Sequence, residues 1–280
     1  MKVLVTGAAG QLGQDVMTAL AARGHEAVGI DRAEADITDE AQVTEVITAA
    51  KPDAVIHCAA YTAVDRAEEE TALCTRINVD GTRFIARAAQ RCGAKLVYIS
   101  TDYVFDGSGD TPFLPTDATG PLNVYGQTKL QGEKAARAEC TRTFVVRTSW
   151  VFGAHGNNFV KTMRRLGTER ETVSVVCDEV GAPTYTPDLA ALLCEMIESE
   201  AYGIYHATNE GVCTRNELAQ AVMETFGLPC RVEPITGDQY PTAAARPHNS
   251  RLSKDCLEQA GFSRLPDWKN ALARYAAEVE

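Results

Sequence analysis

The sequence predicts an α/β protein with a doubly wound parallel sheet and a smaller C-terminal lobe. Short apolar segments rich in β-branched residues alternate at least five times with helical patterns, which is typical of a parallel sheet covered by helices on both faces. The first segment, residues 2–6, runs into a glycine-rich turn, residues 7–13, and then into a helical pattern, residues 14–23. A strand, a glycine turn and a helix in this order form the phosphate-binding unit of a Rossmann-like dinucleotide fold.

The remaining elements divide the chain into two parts. Further strands are predicted at 27–30, 54–57, 95–100, 143–147, 172–176 and 203–207. Helices are predicted at 40–49, 66–70, 77–91, 127–138, 159–166, 187–197, 214–226, 254–260 and 267–278, whereas 229–246 has the composition of a loop. We expect residues 1–150 to form the dinucleotide-binding domain, joined by part of 171–207. Residues 151–170 and 208–280 should then form most of a substrate-binding lobe.

Charge and cysteine content limit the class of protein. The net charge of −11 argues against nucleic acid or an anionic membrane surface as a partner. No apolar run approaches the roughly 20 residues that a membrane-spanning helix needs. The nine cysteines are odd in number and include no C-x-x-C pair, which is typical of reduced thiols in a cytoplasmic protein. The five histidines have no ligand spacing, so we predict no zinc site.

The glycine turn and the end of the second strand predict where a cofactor binds. Gly7, Gly10 and Gly13 allow the backbone to approach a pyrophosphate, and the following helix offers free N–H groups at its N-terminus. Asp31 ends the second strand, where an acid usually holds the adenosine ribose, and Arg32 beside it could hold a 2′-phosphate. Because both are present, the sequence leaves NADH and NADPH open.

A tyrosine and a lysine spaced four apart predict the catalytic chemistry. Tyr125 and Lys129 would lie one turn apart on the same face of a helix. A phenol can donate a proton to a carbonyl oxygen, and a neighbouring ammonium group lowers the phenol's pKa. We therefore interpret the pair as a proton donor and the residue that tunes it. The long loop preceding them is rich in Pro and Gly, and loops of this length are often functional.

Several motifs together resemble one enzyme family. The pattern T-G-x-x-G-x-x-G, a threonine at 101 and the Y-x-x-x-K motif resemble the extended short-chain dehydrogenase/reductase superfamily. Within it, residues 58–65, 100–107, 121–126, 147–150 and 246–250 resemble the dTDP-4-dehydrorhamnose reductases. This resemblance covers essentially the whole chain. It implies reduction of the 4-keto group of dTDP-4-dehydro-L-rhamnose to dTDP-L-rhamnose with NADPH or NADH, in nucleotide-sugar biosynthesis for cell-surface polysaccharide.

The resemblance and the residue patterns imply three sets of site residues. The catalytic set is Thr101, Tyr125 and Lys129. The cofactor-binding set is Gly7, Gly10, Gln11, Leu12, Gly13, Asp31, Arg32, Asp36, Ile37, Ala59, Ala60, Tyr61, Thr62, Asn78, Tyr125 and Lys129. The substrate-binding set is Thr101, Asp102, Val104, Phe105, Tyr125, Trp150, Asn158 and Arg246. Arg246 is expected to meet the diphosphate of the dTDP-sugar, because a diphosphate requires cations.

The resemblance also bears on metal and assembly. Some members of the family form a dimer through a magnesium ion held by glutamates. This chain has Asp15 at the matching N-terminal position and Asp188 near the second, and neither is Glu. We therefore predict no metal ligands and leave magnesium as a doubtful cofactor. The expected partner is the dTDP-sugar alone, bound by a monomer or a homodimer.

Two alternatives remain open at this level. One is a different nucleotide-sugar epimerase or dehydratase of the same superfamily, which would keep a tightly bound NAD. The other is a non-catalytic regulatory subunit resembling the regulatory chain of methionine adenosyltransferase. The intact Thr101, Tyr125 and Lys129 favour an enzyme.

Overall fold

The computed structural model describes residues 1–279 and contains twelve strands and eleven α-helices within that range. The strands are β1 (Lys2–Thr6), β2 (Glu26–Ile30), β3 (Ala54–His57), β4 (Lys95–Thr101), β5 (Thr143–Thr148), β6 (Val151–Phe152), β7 (Thr172–Val176), β8 (Val180–Gly181), β9 (Thr184–Tyr185), β10 (Gly203–His206), β11 (Cys213–Thr214) and β12 (Arg231–Ile235). The helices are α1 (Gln11–Ala22), α2 (Glu40–Ala50), α3 (Val64–Glu69), α4 (Thr71–Thr75), α5 (Thr82–Arg91), α6 (Val124–Glu139), α7 (Phe159–Glu169), α8 (Thr186–Glu198), α9 (Arg215–Thr225), α10 (Asp255–Gln259) and α11 (Trp268–Val279).

Six of these strands form the central sheet in the order β10-β5-β4-β3-β1-β2, and every pairing is parallel. This confirms the predicted doubly wound parallel sheet. The chain crosses to one side of β1 to form β2 and to the other side to form β3. Such a reversal leaves a crevice outside the carboxyl ends of the strands, where ligands bind in open α/β sheets.

Both faces of the sheet are covered, as the continuous apolar strand sequences require. Val5 and Val97 face a core shared with α1 and α8. Leu4 and Leu96 face the opposite core, shared with α2, α5 and α6. All four side chains are fully buried. The sheet is therefore held rigidly from both sides, which fixes the positions of the residues at its carboxyl edge.

The second lobe has a core of its own. Helices α7, α9 and α11 pack with the parallel pair β7–β12 around Val160, Met163, Val173, Leu218 and Val222. Here one prediction was wrong, because the loop predicted at 229–246 contains β12. Strand β7 lies in this lobe, and β10 is the sixth strand of the central sheet. Charged residues and Pro234 obscure β12 in the sequence, and a strand with only one partner tolerates a proline.

Capping residues fix the starts of the helices that carry the site. Helix α1 begins at Gln11, three residues before the predicted start, with Gly10 as its N-cap. Helix α6 begins at Val124 because the Oδ1 of Asn123 accepts a hydrogen bond from the Gly126 N–H at 2.8 Å. The predicted helix at 77–91 is split into a π-helical segment, Arg76–Gly81, and α5. No helix within residues 1–279 has both the length and the apolar character needed to cross a membrane.

Candidate active site

One large cavity of about 1480 Å³ opens at the carboxyl edge of the central sheet. Both the predicted cofactor residues and the predicted catalytic residues line it. The predicted residues on its wall are Gly7, Gly10, Gln11, Leu12, Asp31, Arg32, Asp36, Ile37, Ala59, Ala60, Tyr61, Thr62, Thr101, Asp102, Tyr125, Lys129 and Trp150. Residues from widely separated parts of the chain therefore form a single site.

The glycine turn forms a cradle of the shape a pyrophosphate needs. Gly7 has a φ of +65°, and a Cβ there would lie 2.8 Å from the backbone N of Ala59. A Cβ on Gly13 would lie 2.1 Å from the carbonyl oxygen of Gly7, so only a glycine lets α1 pack this closely against the turn. No side chain caps the first turn of α1, which leaves its N–H groups available. These features fit a dinucleotide phosphate at the helix N-terminus.

Charges of both signs lie at the adenosine end of the cavity. The Oδ2 of Asp31 accepts a hydrogen bond from the Ala9 N–H at 2.7 Å, so the acid also orders the glycine turn. Arg32 lines the wall as predicted, and Arg76, which was not predicted, joins it. The Nη2 of Arg76 donates to the Thr38 hydroxyl at 3.2 Å. Arg76 starts the π-helical segment and is distant in sequence from Arg32, so no local pattern indicated it.

Strand β4 and helix α6 bring the three predicted catalytic side chains to the same cavity. Thr101 ends β4, and its hydroxyl donates to the Oδ1 of Asp102 at 2.9 Å. Tyr125 and Lys129 follow one another on the inner face of α6. The ring of Tyr103 packs edge-on against the ring of Tyr125, with centroids 5.8 Å apart, and so fixes its orientation. The arrangement presents two hydroxyl groups to a ligand.

The protonation states differ from the expectation that Lys129 lowers the pKa of Tyr125. Burial raises the pKa of Tyr125 above its usual value, and the charge of Asp102 raises it further. Burial also lowers the pKa of Lys129 to about 7, although Glu133 opposes the shift. The Nζ of Lys129 donates to the carbonyl oxygen of Ile99 at 2.6 Å. At neutral pH the phenol is therefore protonated, as a proton donor must be, and the lysine is near its midpoint.

Asp102 adds a buried carboxylate to the wall of the cavity. It is 4% exposed, and within residues 1–279 its Oδ2 has no hydrogen-bond partner. Burial raises the pKa of Asp102 to about 6. Side-chain hydrogen bonds with Ser250 and Thr101 oppose this rise, so protein groups hold the carboxyl at the wall of the cavity.

Trp150 and Arg215 form the opposite wall. Trp150 follows β5 with a φ of +49°, an uncommon conformation for a residue with a side chain. The guanidinium of Arg215 lies 3.8 Å from the centroid of its ring. The strained backbone and the stacked cation together hold the indole in the cavity. Arg215 was not predicted, because the sequence showed only that it opens a helix of the second lobe.

Two predicted substrate residues do not reach the cavity. Val104 is fully buried and Phe105 is 1% exposed. The ring of Phe105 stacks on Phe113 with centroids 4.3 Å apart. The structure thus places both in the core beneath the site, contrary to the expectation that they contact substrate.

Two predicted asparagines also lie outside the cavity and act through its lining residues. The Oδ1 of Asn78 accepts a hydrogen bond from the Tyr61 N–H at 2.8 Å, which holds the segment that follows β3. The Nδ2 of Asn158 donates to the Oε1 of Gln11 at 2.8 Å, which orients a residue of the phosphate cradle. Both side chains therefore hold residues that line the cavity.

Arg246 has a different environment from the one expected. Its guanidinium forms two hydrogen bonds with Asp65, the shorter at 2.7 Å, and lines a separate cavity of about 400 Å³. The backbone N–H of Ala244 also donates to Asp65 at 3.1 Å, so this contact ties the second lobe to α3. The charge of Arg246 is thus already paired. Arg215 lines the large cavity, where its Nε lies 3.7 Å from a carboxylate oxygen of Glu179.

The two acids considered for magnesium are in unlike surroundings. Asp188 accepts hydrogen bonds from Arg274 at 2.6 Å and from Asn209 at 2.7 Å, so a cation already neutralises it. Asp15 is buried, 3.9 Å from the Nε2 of His155, and burial raises its pKa. No group of three or more His, Cys, Asp or Glu side chains within residues 1–279 is arranged to hold a metal ion.

Comparisons with known proteins agree with this geometry. The family model described as RmlD substrate binding domain matches residues 1–280. The dTDP-4-dehydrorhamnose reductase of Mycolicibacterium smegmatis is 42% identical, covering 99% of this chain and 86% of that protein. The dTDP-4-dehydrorhamnose reductase of Escherichia coli is 40% identical, covering 100% of this chain and 98% of that protein. A crystal structure of dTDP-4-dehydrorhamnose reductase from Bacillus anthracis in complex with NADP has a TM-score of 0.97 and 42% identity, covering 99% of this chain and 100% of that one. The chain therefore belongs to the RmlD family of dTDP-4-dehydrorhamnose reductases.

Proposed function

We propose that this protein reduces the 4-keto group of dTDP-4-dehydro-L-rhamnose to dTDP-L-rhamnose with NADPH or NADH. The observation that carries the proposal is the convergence of Thr101, Tyr125 and Lys129 in the cavity that also contains the glycine cradle. The relatives named dTDP-4-dehydrorhamnose reductase support the choice of substrate. An epimerase or dehydratase is less well supported, because the similar epimerase and dehydratase structures are only 21% and 20% identical to this chain, whereas the two reductases are 42% and 40% identical.

The side chains account for the proton that the reduction consumes. The glycine cradle and the cavity wall would hold a nicotinamide cofactor, whose chemistry would be the delivery of a hydride to the carbonyl carbon. Tyr125 donates its phenolic proton to the carbonyl oxygen as negative charge develops there, and its high pKa keeps that proton available across the working range. The hydroxyl of Thr101 hydrogen-bonds the same oxygen. Lys129, when charged, stabilises the phenolate that remains until the proton is regained from solvent.

Other residues of the cavity would hold the rest of the sugar nucleotide. Asp102 lines the cavity, where its carboxylate would accept a hydrogen bond from a sugar hydroxyl. The indole of Trp150 offers an apolar face to the deoxysugar. Arg215 would meet the diphosphate, since a guanidinium matches phosphate oxygens in both charge and geometry.

The adenosine end supports the use of both cofactors. Asp31 disfavours a 2′-phosphate by charge repulsion, whereas Arg32 and Arg76 attract it. All nine cysteines are free thiols, which fits a reducing compartment, and we place the reaction in the cytoplasm. We further propose a monomer or homodimer whose catalysis needs no metal ion, because Arg274 already neutralises Asp188.

The decisive experiment is the loss of NADPH or NADH absorbance when purified protein receives dTDP-4-dehydro-L-rhamnose. Tyr125→Phe should lower the rate by roughly 10²–10⁴-fold, the usual contribution of a general acid. Tyr202→Phe is a matched control, because that phenol bonds to Glu200 away from the cavity. A Tyr125→Phe enzyme within threefold of the parent rate at every pH would refute the mechanism. Bound NAD that survives dialysis, without net turnover, would favour an epimerase or dehydratase instead.

A further inference from the structure

A buried ion pair, Glu133 with Arg147, lies behind the catalytic side chains. Each side chain is 3% exposed. The Oε1 of Glu133 accepts hydrogen bonds from the Ser100 hydroxyl at 2.5 Å and from the Nε of Arg147 at 2.8 Å, and its Oε2 accepts from the Nη2 of Arg147 at 2.8 Å. Burying two charges is costly, and apolar residues of similar volume often stabilise a fold as well or better. The pair therefore indicates a role besides stability.

The hydrogen bonds of Glu133 join the three elements that carry the catalytic residues. Ser100 immediately precedes Thr101 on β4. Glu133 follows Lys129 by four residues on α6, so both lie on the same face of the helix. Arg147 is the penultimate residue of β5, whose end leads to the wall of the cavity. The carboxylate thus fixes the relative positions of β4, β5 and α6 directly beneath the site.

Arg147 extends the contact to the loop that enters α6. Its Nη1 donates to the carbonyl oxygen of Pro115 at 3.3 Å. Its guanidinium also lies 5.0 Å from the ring centroid of Phe105. The loop that contains Pro115 leads into α6, which carries Tyr125. Arg147 holds this loop, so the Glu133–Arg147 pair also helps to place Tyr125 in the cavity.

The surroundings of Lys129 contain few charges. The buried groups near it lie on β3 and the residue after it, on α4, on β4 and on α6 itself. They are His57, Cys58, Cys74, Tyr98 and Glu133. Burial lowers the pKa of His57 to about 3 and raises that of Cys58 to about 12, so both are uncharged at neutral pH. Glu133 is the carboxylate among them that favours the charged form of Lys129.

We propose that Glu133 is a positioning residue for the reduction, which holds Lys129 in its ammonium form beside the proton donor and fixes Ser100 beneath Thr101. Glu133 itself touches neither substrate nor cofactor, because it is buried outside the cavity wall. The inference rests on the proposed reductase function.

The test is the pH profile of kcat/KM for Glu133→Gln. Without the carboxylate, Lys129 loses its proton at a lower pH, so the high-pH limb should move down by about one pH unit or more. The single variant leaves the charge of Arg147 buried without a carboxylate and can fail to fold. The double variant Glu133→Gln/Arg147→Met removes that unpaired charge and should show the same displaced limb. Glu139→Gln is the matched control, because it removes an acid from the same helix that pairs with Arg87 near the surface; its limb should stay in place.

A second measurement separates this inference from the proposed function. The pH dependence of NADPH binding, followed by fluorescence, reports on Lys129 without the sugar and should shift in the same direction. A parent enzyme without sugar-dependent oxidation would refute the proposed function, and the binding profile would still decide on Glu133. The inference would be overturned if the variants fold and both the high-pH limb of kcat/KM and the pH dependence of NADPH binding match those of the parent. Glu133 would then be merely structural.

Discussion

Replacing Lys129 with methionine should stabilise the fold while it damages catalysis. Lys129 is 3% exposed, and burial lowers its pKa from the usual 10.5 to about 7. At 1.36 kcal/mol for each pH unit, this difference corresponds to a penalty of about 5 kcal/mol at pH 6, where the lysine is charged in both folded and unfolded chains. Methionine has a similar length and carries no charge, so it avoids that penalty.

The hydrogen bond from Lys129 to Ile99 opposes this gain. The bond is 2.6 Å long, and a hydrogen bond to a charged group contributes about 1.5–3 kcal/mol. The penalty is the larger effect, so Lys129→Met should be more stable than the parent by roughly 2–3 kcal/mol at pH 6. The same variant should lose both rate and cofactor affinity, since a charge beside the proton donor is gone.

The dependence of this gain on pH is the sharper test. Between pH 7 and 10.5 the unfolded chain binds a proton at Lys129 that the folded chain does not, so the parent becomes relatively more stable as pH rises. The penalty falls to about 2 kcal/mol at pH 9, and the advantage of the variant over the parent should shrink by about 3 kcal/mol. Urea unfolding of both proteins at pH 6 and pH 9, with reductant present, measures the change.

Lys134→Met serves as the control, because Lys134 lies on the same helix but is exposed. Its stability relative to the parent should change by less than about 0.5 kcal/mol and not with pH. The reasoning would be refuted if Lys129→Met and the parent differed in free energy of unfolding by the same amount at pH 6 and pH 9. Burial could not then be shifting the pKa of Lys129.

Two further predictions concern the ends of the ligands. Arg215→Ala should raise KM for the dTDP-sugar by tenfold or more, because about 1.4 kcal/mol or more of binding free energy is lost with a phosphate contact. Arg246→Ala should mainly lower stability, since the charge of Arg246 is already paired with Asp65. Steady-state kinetics of both variants decides the point, and equal KM values would contradict the assignment. Asp31→Ala should raise the NADPH/NADH ratio of kcat/KM by removing a like charge; an unmoved ratio would place Asp31 away from the ribose.

Local sequence patterns were sufficient for the sheet and for the residues at its edge. Gly7 and Gly13 predicted a phosphate cradle because their spacing is tied to one backbone shape, and the structure has that shape. Tyr125 and Lys129 were correctly predicted to share one helix face, because residues spaced four apart in a helix lie one turn apart on the same side. Each of these inferences depends on residues that are close together in the chain.

Inferences that depended on distant residues were less successful. Arg246 was expected to meet the diphosphate, but the fold pairs it with Asp65 outside the large cavity. Arg215, which the sequence did not single out, lines that cavity instead. Val104 and Phe105 flank the catalytic motif, yet the turn after β4 directs them into the core. Proximity in the chain did not indicate which side chains reach the ligand.

The protonation of the catalytic pair was decided by tertiary structure alone. A lysine four residues after a tyrosine suggests a lowered phenol pKa, but desolvation by surrounding strands raises the pKa of Tyr125 and lowers that of Lys129. The balancing carboxylate, Glu133, is in turn held by Ser100 and Arg147 from two other strands. The sequence by itself determined the fold, the cradle and the placement of Tyr125 and Lys129 on one helix face, because these follow from local periodicity and turn chemistry. The charges of those groups were set by burial and pairing among residues far apart in the chain, which exist only once the chain has folded.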